Sequence, residues 1–408
     1  MTSNLTRGDI LNAAGRMFGV SWTSDPSAVA FVNARASRYL SRLADLRRKS
    51  AQGKRAKQAA AVVIGSFDAR FCSVVLGWPK SCKPVGLKYA EQLAREINPT
   101  QASREVIHVR FQSKPEGGFR PICTFGPDRR ARQILVKHVL SAIWGTAKFE
   151  FAQRGRGRDA AWDKITDNVE KKGGSRWFLT ADIRDCFSSF DDERICGIIP
   201  LSRNVVANCI LVDSNAPIID EDGNRTRTSE IAALSGLPQG SLASPYIASK
   251  LIEPMLDQLN GEIVISHVDD IIVGTRTLAQ AQANRQMLGD LLEDHPAGPL
   301  FMKSDIARLG KPIDYLGYRM RRRWLRFGGG VRLTPSAKAY SRFERRLFEK
   351  VIECDPSKID LVADEYRLRW ENSMRRWDIS EVARDLLWYT SLNVIGAAKQ
   401  KKAALHDR

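Results

Sequence analysis

The chain is short of acid. Its 408 residues carry 46 Asp and Glu against 64 Lys and Arg, a formal charge of +18. That imbalance points to a polyanionic partner, with nucleic acid first among the candidates. Cysteine is sparse: there are seven, an odd number, with no Cys-x-x-Cys pair. Neither a disulfide framework nor a cysteine zinc site is expected, and the thiols read as those of a reduced, cytoplasmic protein. The five histidines form no His-Glu-x-x-His, which removes the common zinc-hydrolase pattern. Long apolar runs are also missing. The longest clean one, Ala59 to Phe67, is far short of the about 20 residues that span a bilayer, so no membrane partner is expected. The opening residues lack a basic start followed by an apolar stretch, so no secretion signal is read there. No repeat of solenoid length is visible. What is present is an ordinary 43% hydrophobic content, enough to bury a core in two or three structural units.

Residues 1–100 read as mainly helical. Between Arg35 and Lys57 stand nine basic residues and one acid, Asp45. Arg35, Arg38 and Arg42 follow helical spacing, so they share one face. That face is read in two ways, as a solvated surface or as a phosphate contact. From about residue 105 the pattern changes to short β-type runs. Val106–Phe111 and Phe119–Cys123 flank the turn residues Lys114-Pro115-Glu116-Gly117-Gly118, which predicts a hairpin. A helix is expected over 128–145 and another from Gly240 to Leu259. Asp222-Gly223 suggests a second hairpin within 211–232. The acids Asp220, Glu221 and Asp222 do not have the spacing of a calcium loop and read as a solvated turn. After Gly328-Gly329-Gly330 the chain is expected to be helical to its end.

Two acidic positions stand out because each interrupts or ends an apolar strand. Asp182 follows Trp177-Phe178-Leu179-Thr180-Ala181. Asp269-Asp270 lies between Ile263–Val268 and Ile271-Ile272-Val273. Carboxylates inside such runs are costly unless a turn or a metal accommodates them. Asp-Asp at a hairpin is often nothing more than a turn. A second strand-ending Asp 87 residues upstream changes the balance, because paired strands would bring the carboxylates to one point. Hard oxygen ligands there suit Mg2+, which takes carboxylates together with substrate phosphates.

Three blocks now resemble, in order and spacing, the palm motifs of reverse transcriptases. They are Asp182-Ile183-Arg184-Asp185-Cys186-Phe187, Gly236-Leu237-Pro238-Gln239-Gly240-Ser241-Leu242-Ala243-Ser244-Pro245 and His267-Val268-Asp269-Asp270. The middle block is similar to the family's LPQG-x-x-x-SP element and is the most specific match. Lys114–Ile122 resembles the fingers segment of bacterial members. Leu300-Phe301-Met302-Lys303-Ser304 resembles the lysine-bearing motif, and Tyr315-Leu316-Gly317-Tyr318 the primer-grip turn. The resemblance covers roughly residues 105–320. It implies an α+β fold, a right-hand polymerase with a ferredoxin-like palm. The expected parts are a helical basic N-terminal extension over 1–100, fingers over 101–176 with part of 204–235, a palm over 177–327, and a helical thumb over 328–408.

The resemblance also implies roles. Asp182 and Asp269 would bind two Mg2+ ions, with Mn2+ as a substitute. Asp270 would assist, and the backbone carbonyl of Ile183 would be a further ligand. Lys303 would be the general acid for the departing pyrophosphate. Arg120 and Lys114 would contact the dNTP triphosphate. Gln239 would meet the incoming nucleotide or template base, with Gly240 allowing close backbone approach. Phe187 would stand against the sugar 2′ position and favour deoxynucleotides. Plain readings stay open beside these: Lys114 and Lys303 as solvated lysines, and Phe187 as a core residue at a corner. His267 departs from the family's usual Tyr, placing a side-chain type that titrates near neutral pH beside the primer end. With Tyr315, Leu316 and Gly317 it is expected to touch nucleic acid. Arg154 and Arg156, in a basic Gly-rich segment, would follow the template. Arg321 and Arg322 belong to a run of five arginines in eight residues, Arg319 to Arg326, interleaved with Trp324 and Phe327. Trp370 and Trp377 are expected to pack helices together.

The expected reaction is RNA-directed DNA synthesis, with an RNA template, dNTPs and a DNA product. About 90 residues follow the primer-grip turn, room for a thumb and not for a maturase, HNH or RNase H domain. That size resembles the stand-alone defence-associated and abortive-infection reverse transcriptases of bacteria. An antiphage enzyme copying an associated noncoding RNA is therefore expected, with a second copy or a defence protein as a further partner. A retron-type enzyme, a template-independent or protein-primed polymerase, a truncated group II intron protein and an inactive RNA-binding scaffold remain as alternatives.

Overall fold

Alanine-rich amphipathic segments with good caps make the first hundred residues helical. In the computed structural model, which describes residues 5–53, 55–114, 117–152, 155–213, 215–322, 330–377 and 381–406, α1 (Arg7–Phe18) opens on a Thr6/Asp9 capping box. The Asp25 carboxylate caps α2 (Pro26–Ala51), with Pro26 in the first turn. Then come α3 (Ala56–Gly65), α4 (Phe67–Gly77) and α5 (Leu87–Glu96). No single helix among the described residues is long and apolar enough to cross a membrane; α3 and α4 qualify only as a pair bent by 71°.

The arginine face of α2 is where spacing predicts it, and it has an internal use. Arg35 Nη1 and Arg38 Nε lie 2.9 and 3.2 Å from Asp68 Oδ1, and Arg42 Nη2 lies 3.6 Å from Oδ2. Asp68 is buried on α4. This face therefore makes a helix-to-helix lock, because a buried carboxylate gains most from charged partners.

The remaining elements are β1 (Ile107–Ser113), β2 (Phe119–Thr124), α6 (Pro127–Trp144), α7 (Gly157–Glu170), β3 (Trp177–Ile183), α8 (Asp192–Ile198), α9 (Arg203–Cys209), β4 (Ile218–Ile219), α10 (Arg227–Leu234), α11 (Ser244–Leu256), β5 (Ile263–His267), β6 (Asp270–Thr275), α12 (Leu278–Glu293), β7 (Met302–Arg308), β8 (Ile313–Tyr315), β9 (Tyr318–Arg322), β10 (Val331–Pro335), α13 (Ala337–Glu353), α14 (Ile359–Ser373) and α15 (Glu381–His406). The chain is α+β, and it divides into two units. The first is Met1–Glu150, Ile183–Gln258 and Leu288–Lys303; the second is Phe151–Asp182, Leu259–Met287 and Ser304–Arg408.

In the first unit, β1 and β2 form the expected hairpin, with His108 opposite Thr124 and Ser113 opposite Phe119. The hairpin expected around Asp222-Gly223 does not form. Ile218-Ile219 instead pairs in parallel with Ile107-His108, and residues 227–234 are the helix α10. The Asp220 side chain takes up the N–H groups of Asp222 and Asn224, which makes a closed turn. Ile107, Val109, Cys123, Phe125, Val212 and Ile218 form the core of this sheet. The N-terminus of α6 is held by Glu105, whose two oxygens accept from Asp128 N and Arg129 N.

In the second unit, the strand order is β5-β6-β3-β7. Ile263–Ser266 and Ile271–Thr275 are buried without a break, as strands covered on both faces should be. A second sheet, β10-β9-β8, supplies Tyr318, Met320 and Leu333 to the same core as Trp162, Phe178, Ile265, Ile272 and Phe343. The chain after the three glycines is thus first a strand and then helical. The tail tryptophans pack as expected: Trp370 and Trp377 meet Tyr340, and Trp370 also meets Phe343.

Candidate active site

The carboxylates are brought together by register. Asp182 on β3 is the Cα partner of Asp270 on β6, and His267 on β5 is the partner of Asp270 on its other side. The three residues therefore share one face and one end of the sheet, and directly opposed Cβ atoms lie about 5 Å apart. Val268 and Asp269 are the two-residue loop between β5 and β6. Val268 has φ 62° and Asp269 is not in that region, the pattern of a II′ turn, in which glycine ordinarily holds the first place. A β-branched residue there is held against its own preference, and such strain gathers at functional turns. Beneath the hairpin, the Tyr315 hydroxyl donates to the Asp270 carbonyl at 3.3 Å, and its ring stands edge-on to Trp162.

Two like charges directly opposite each other across a ladder are unfavourable. A cation reverses the sign of that term. Among the described residues no three His, Cys, Asp or Glu side chains are gathered closely enough to cage a metal alone. Two opposed carboxylates with a third at the turn make a partial oxygen set, which suits Mg2+, an ion that keeps waters and substrate phosphate in its remaining positions. The residues fit that ion.

In the first unit, Gly236–Pro245 is a tightly fixed loop running into α11. Leu237 N donates to Phe187 O, and Cys123 N donates to Gln239 O, each at 2.8 Å. Leu242 N donates to Gln133 Oε1 at 3.1 Å, and Ser244 Oγ to Pro238 O at 3.0 Å. Gly240 has φ 100°, and a Cβ there would run into the Cys123 carbonyl, so only glycine fits. Gly236, at φ 59°, is pressed in the same way against the Phe187 and Phe190 carbonyls. Gln239 and Phe187 are half-buried, and Arg120 is exposed on β2. Lys114 Nζ lies 2.7 Å from Asp185 Oδ1. Cys186 is buried beside Asp185.

Ile183 closes β3 with its side chain buried. Lys303 stands exposed on β7, next to the division between the units. Leu316 and Gly317, both at positive φ, make the two-residue turn closed by the Tyr315–Tyr318 pair. Tyr315 itself is buried, a support under the hairpin rather than an exposed contact. Arg156 is exposed, with its guanidinium over Phe151. Arg321 and Arg322 are exposed on β9. Arg154 lies outside the described residues, as do Arg323, Trp324, Arg326 and Phe327.

Sequence reasoning passed over Asp192, in the first turn of α8. Burial, worsened by Asp191 and Glu193 and only partly offset by the Gly236 N–H, pushes its carboxyl up to about 6. Its contact with Gly236 spans 44 residues, and a run of three acids gives no local sign of it.

Comparison with known proteins finds one family. The family described as reverse transcriptase (RNA-dependent DNA polymerase) matches residues 112–320, just over half of the chain. The COX1/OXI3 intron 1 protein of Saccharomyces cerevisiae is 23% identical over 167 residues, 40% of this chain and 19% of the yeast protein. The chain thus spans about a fifth of that relative. A telomerase from Candida albicans, solved in complex with a TWJ fragment of telomeric RNA, matches 77% of this chain and 62% of its own at 11% identity, with a TM-score of 0.35. An apo telomerase from Candida tropicalis, truncated of its C-terminal domain, matches 54% of each chain at 12% identity, with a TM-score of 0.34.

Proposed function

Because the chain belongs to the reverse transcriptase (RNA-dependent DNA polymerase) family, we propose that it synthesises DNA from dNTPs on an RNA template at the Asp182–Asp269–Asp270 end of the β3, β5 and β6 strands. The observation that carries this reading is the register that opposes Asp182 to Asp270 with Asp269 in the adjoining turn. Mg2+ (or Mn2+) bound there would supply the positive charge that phosphoryl transfer requires. Asp182, Asp269 and Asp270 hold that charge, with the Ile183 carbonyl beside them. Arg120 and Lys114 bind the triphosphate, and Lys114 exchanges Asp185 for it. Gln239 positions the nucleotide, and Phe187 excludes a ribose hydroxyl. Lys303 gives its proton to the leaving pyrophosphate. His267, the Leu316–Gly317 turn, Arg156, Arg321 and Arg322 hold primer and template.

The test is incorporation of labelled dNTPs on a primed RNA template. Synthesis that needs Mg2+ and disappears in Asp269→Ala supports the reading; incorporation that survives Asp269→Ala removes it. The finer reading is a bacterial, cytoplasmic antiphage enzyme copying its own noncoding RNA, supported by helical segments on both sides of the matched region. Sequencing of RNA and DNA that copurify with the protein decides it, and absence of both counts against it.

A further inference from the structure

The like-charge opposition that marks the carboxylates occurs a second time, with the sign reversed. In the ribbon of β9 and β10, Arg321 is the Cα partner of Arg332. The neighbouring pair, Met320 and Leu333, is buried in the core, so Arg321 and Arg332 stand side by side on the outer face, and both are exposed. Arg319, on the same face, is already held by Asp314, with Nε to Oδ1 at 2.6 Å and Nη2 to Oδ2 at 2.7 Å. No acid among the described residues pairs with Arg321 or Arg332. From Tyr318 to Pro335 the sequence contains six arginines and no Asp or Glu. Arg322 pairs with Val331, on the opposite face, so it does not share this arrangement.

Two guanidinium groups facing each other repel, and an anion between them removes the repulsion while accepting donors from both. A phosphodiester has the size, charge and oxygen geometry for that place. We propose that Arg321 and Arg332 together seat one backbone phosphate of bound nucleic acid, which makes Arg332 a binding residue. This rests on the nucleic-acid reading above and adds a site to it. The seat reads charge and not sequence.

The experiment is fluorescence anisotropy of the full chain with three labelled probes: a single-stranded RNA, the DNA of the same sequence, and the RNA–DNA duplex. Affinity is followed from about 50 to about 200 mM salt. Arg332→Gln is expected to lower the log–log salt slope by about 0.7–0.9, the value of one phosphate. Arg321→Gln is expected to do the same. The double variant is expected to lose about one phosphate in total, because both groups hold the same one. Arg332→Lys, which keeps the charge, retains most of the slope. Arg225→Gln, whose parent side chain is paired with Glu230, serves as the surface control. The melting midpoint of Arg332→Gln without nucleic acid should equal or exceed that of the parent, since a repulsion has been removed. A melting midpoint that falls, an unchanged slope, or a double variant that loses two phosphates overturns the shared seat. A parent chain that binds none of the probes removes the nucleic-acid reading itself. Whichever probes show the loss identify the strand that carries the phosphate.

Discussion

Replacing Asp270 with Asn is expected to make the protein more stable and less responsive to Mg2+. Asp182 and Asp270 are partners on adjacent strands, so their Cβ atoms lie about 5 Å apart. At that separation two unit charges repel by about 3 kcal/mol at an effective dielectric of 20, and by about 1 kcal/mol in water. Asp182 is exposed, so the lower figure governs. Asn keeps the shape and drops the charge. The relief of about 1 kcal/mol corresponds to a rise of about 2–4 °C in the melting midpoint for a unit of this size. The assay is a set of thermal melts of both proteins, first in EDTA and then with added Mg2+. The parent gains from Mg2+ because the cation binds the folded register and not the unfolded chain. Asp270→Asn starts higher and gains less. A variant that melts at or below the parent in EDTA refutes the opposed-charge argument. Equal gains from Mg2+ in the two proteins refute the assignment of the ion to this place.

Gly240→Ala is expected to lose dNTP incorporation and about 2–4 kcal/mol of stability, combining a disfavoured positive φ with overlap against the Cys123 carbonyl; urea unfolding and primer extension read both effects, and a variant with parental stability and rate contradicts the close approach. Phe187→Ala is expected to admit ribonucleotides, measured as rNTP incorporation relative to dNTP, and unchanged discrimination removes its role at the sugar. Asp192 has a folded pKa of about 6 against a usual value near 3.8, so the stability it gives is fully present below about pH 4 and is lost as pH rises through 6. Asp192→Asn should therefore gain on the parent between pH 4 and 7 in denaturant midpoint, and a difference that does not vary with pH rules out the buried carboxyl as its cause.

Much of the candidate site was readable from the chain because carboxylates at the ends of apolar strands break local rules. Asp182, Asp269 and Asp270 interrupt apolar strands, and Gly240 stands where a closely approaching backbone leaves no space for a side chain. Each leaves a mark within a few residues of itself. What escaped notice depends on distant partners. Arg35, Arg38 and Arg42 show their common face in their spacing, but the buried Asp68 that faces them is 26 to 33 residues away, so the helix-to-helix lock left no local sign. Ile218-Ile219 is too short to announce a strand and is one only because β1 offers it an edge. The opposition of Arg321 to Arg332 is a matter of register across a hairpin, and a shift of one residue would have abolished it.

The division of the chain into two units has a consequence for how the protein is made. The first unit takes its last segment from Leu288–Lys303 and the second runs to the end of the chain. On a ribosome, neither can close until about three quarters of the protein has emerged. The strand carrying Asp182 waits for β6, whose partner residues lie 88 to 98 positions later, a separation that makes folding slow. Until then β3 presents an unpaired apolar edge to the cell. The strands that carry Asp182 and Asp270 are therefore paired late, after α1 to α11 have emerged and before α12 to α15 have.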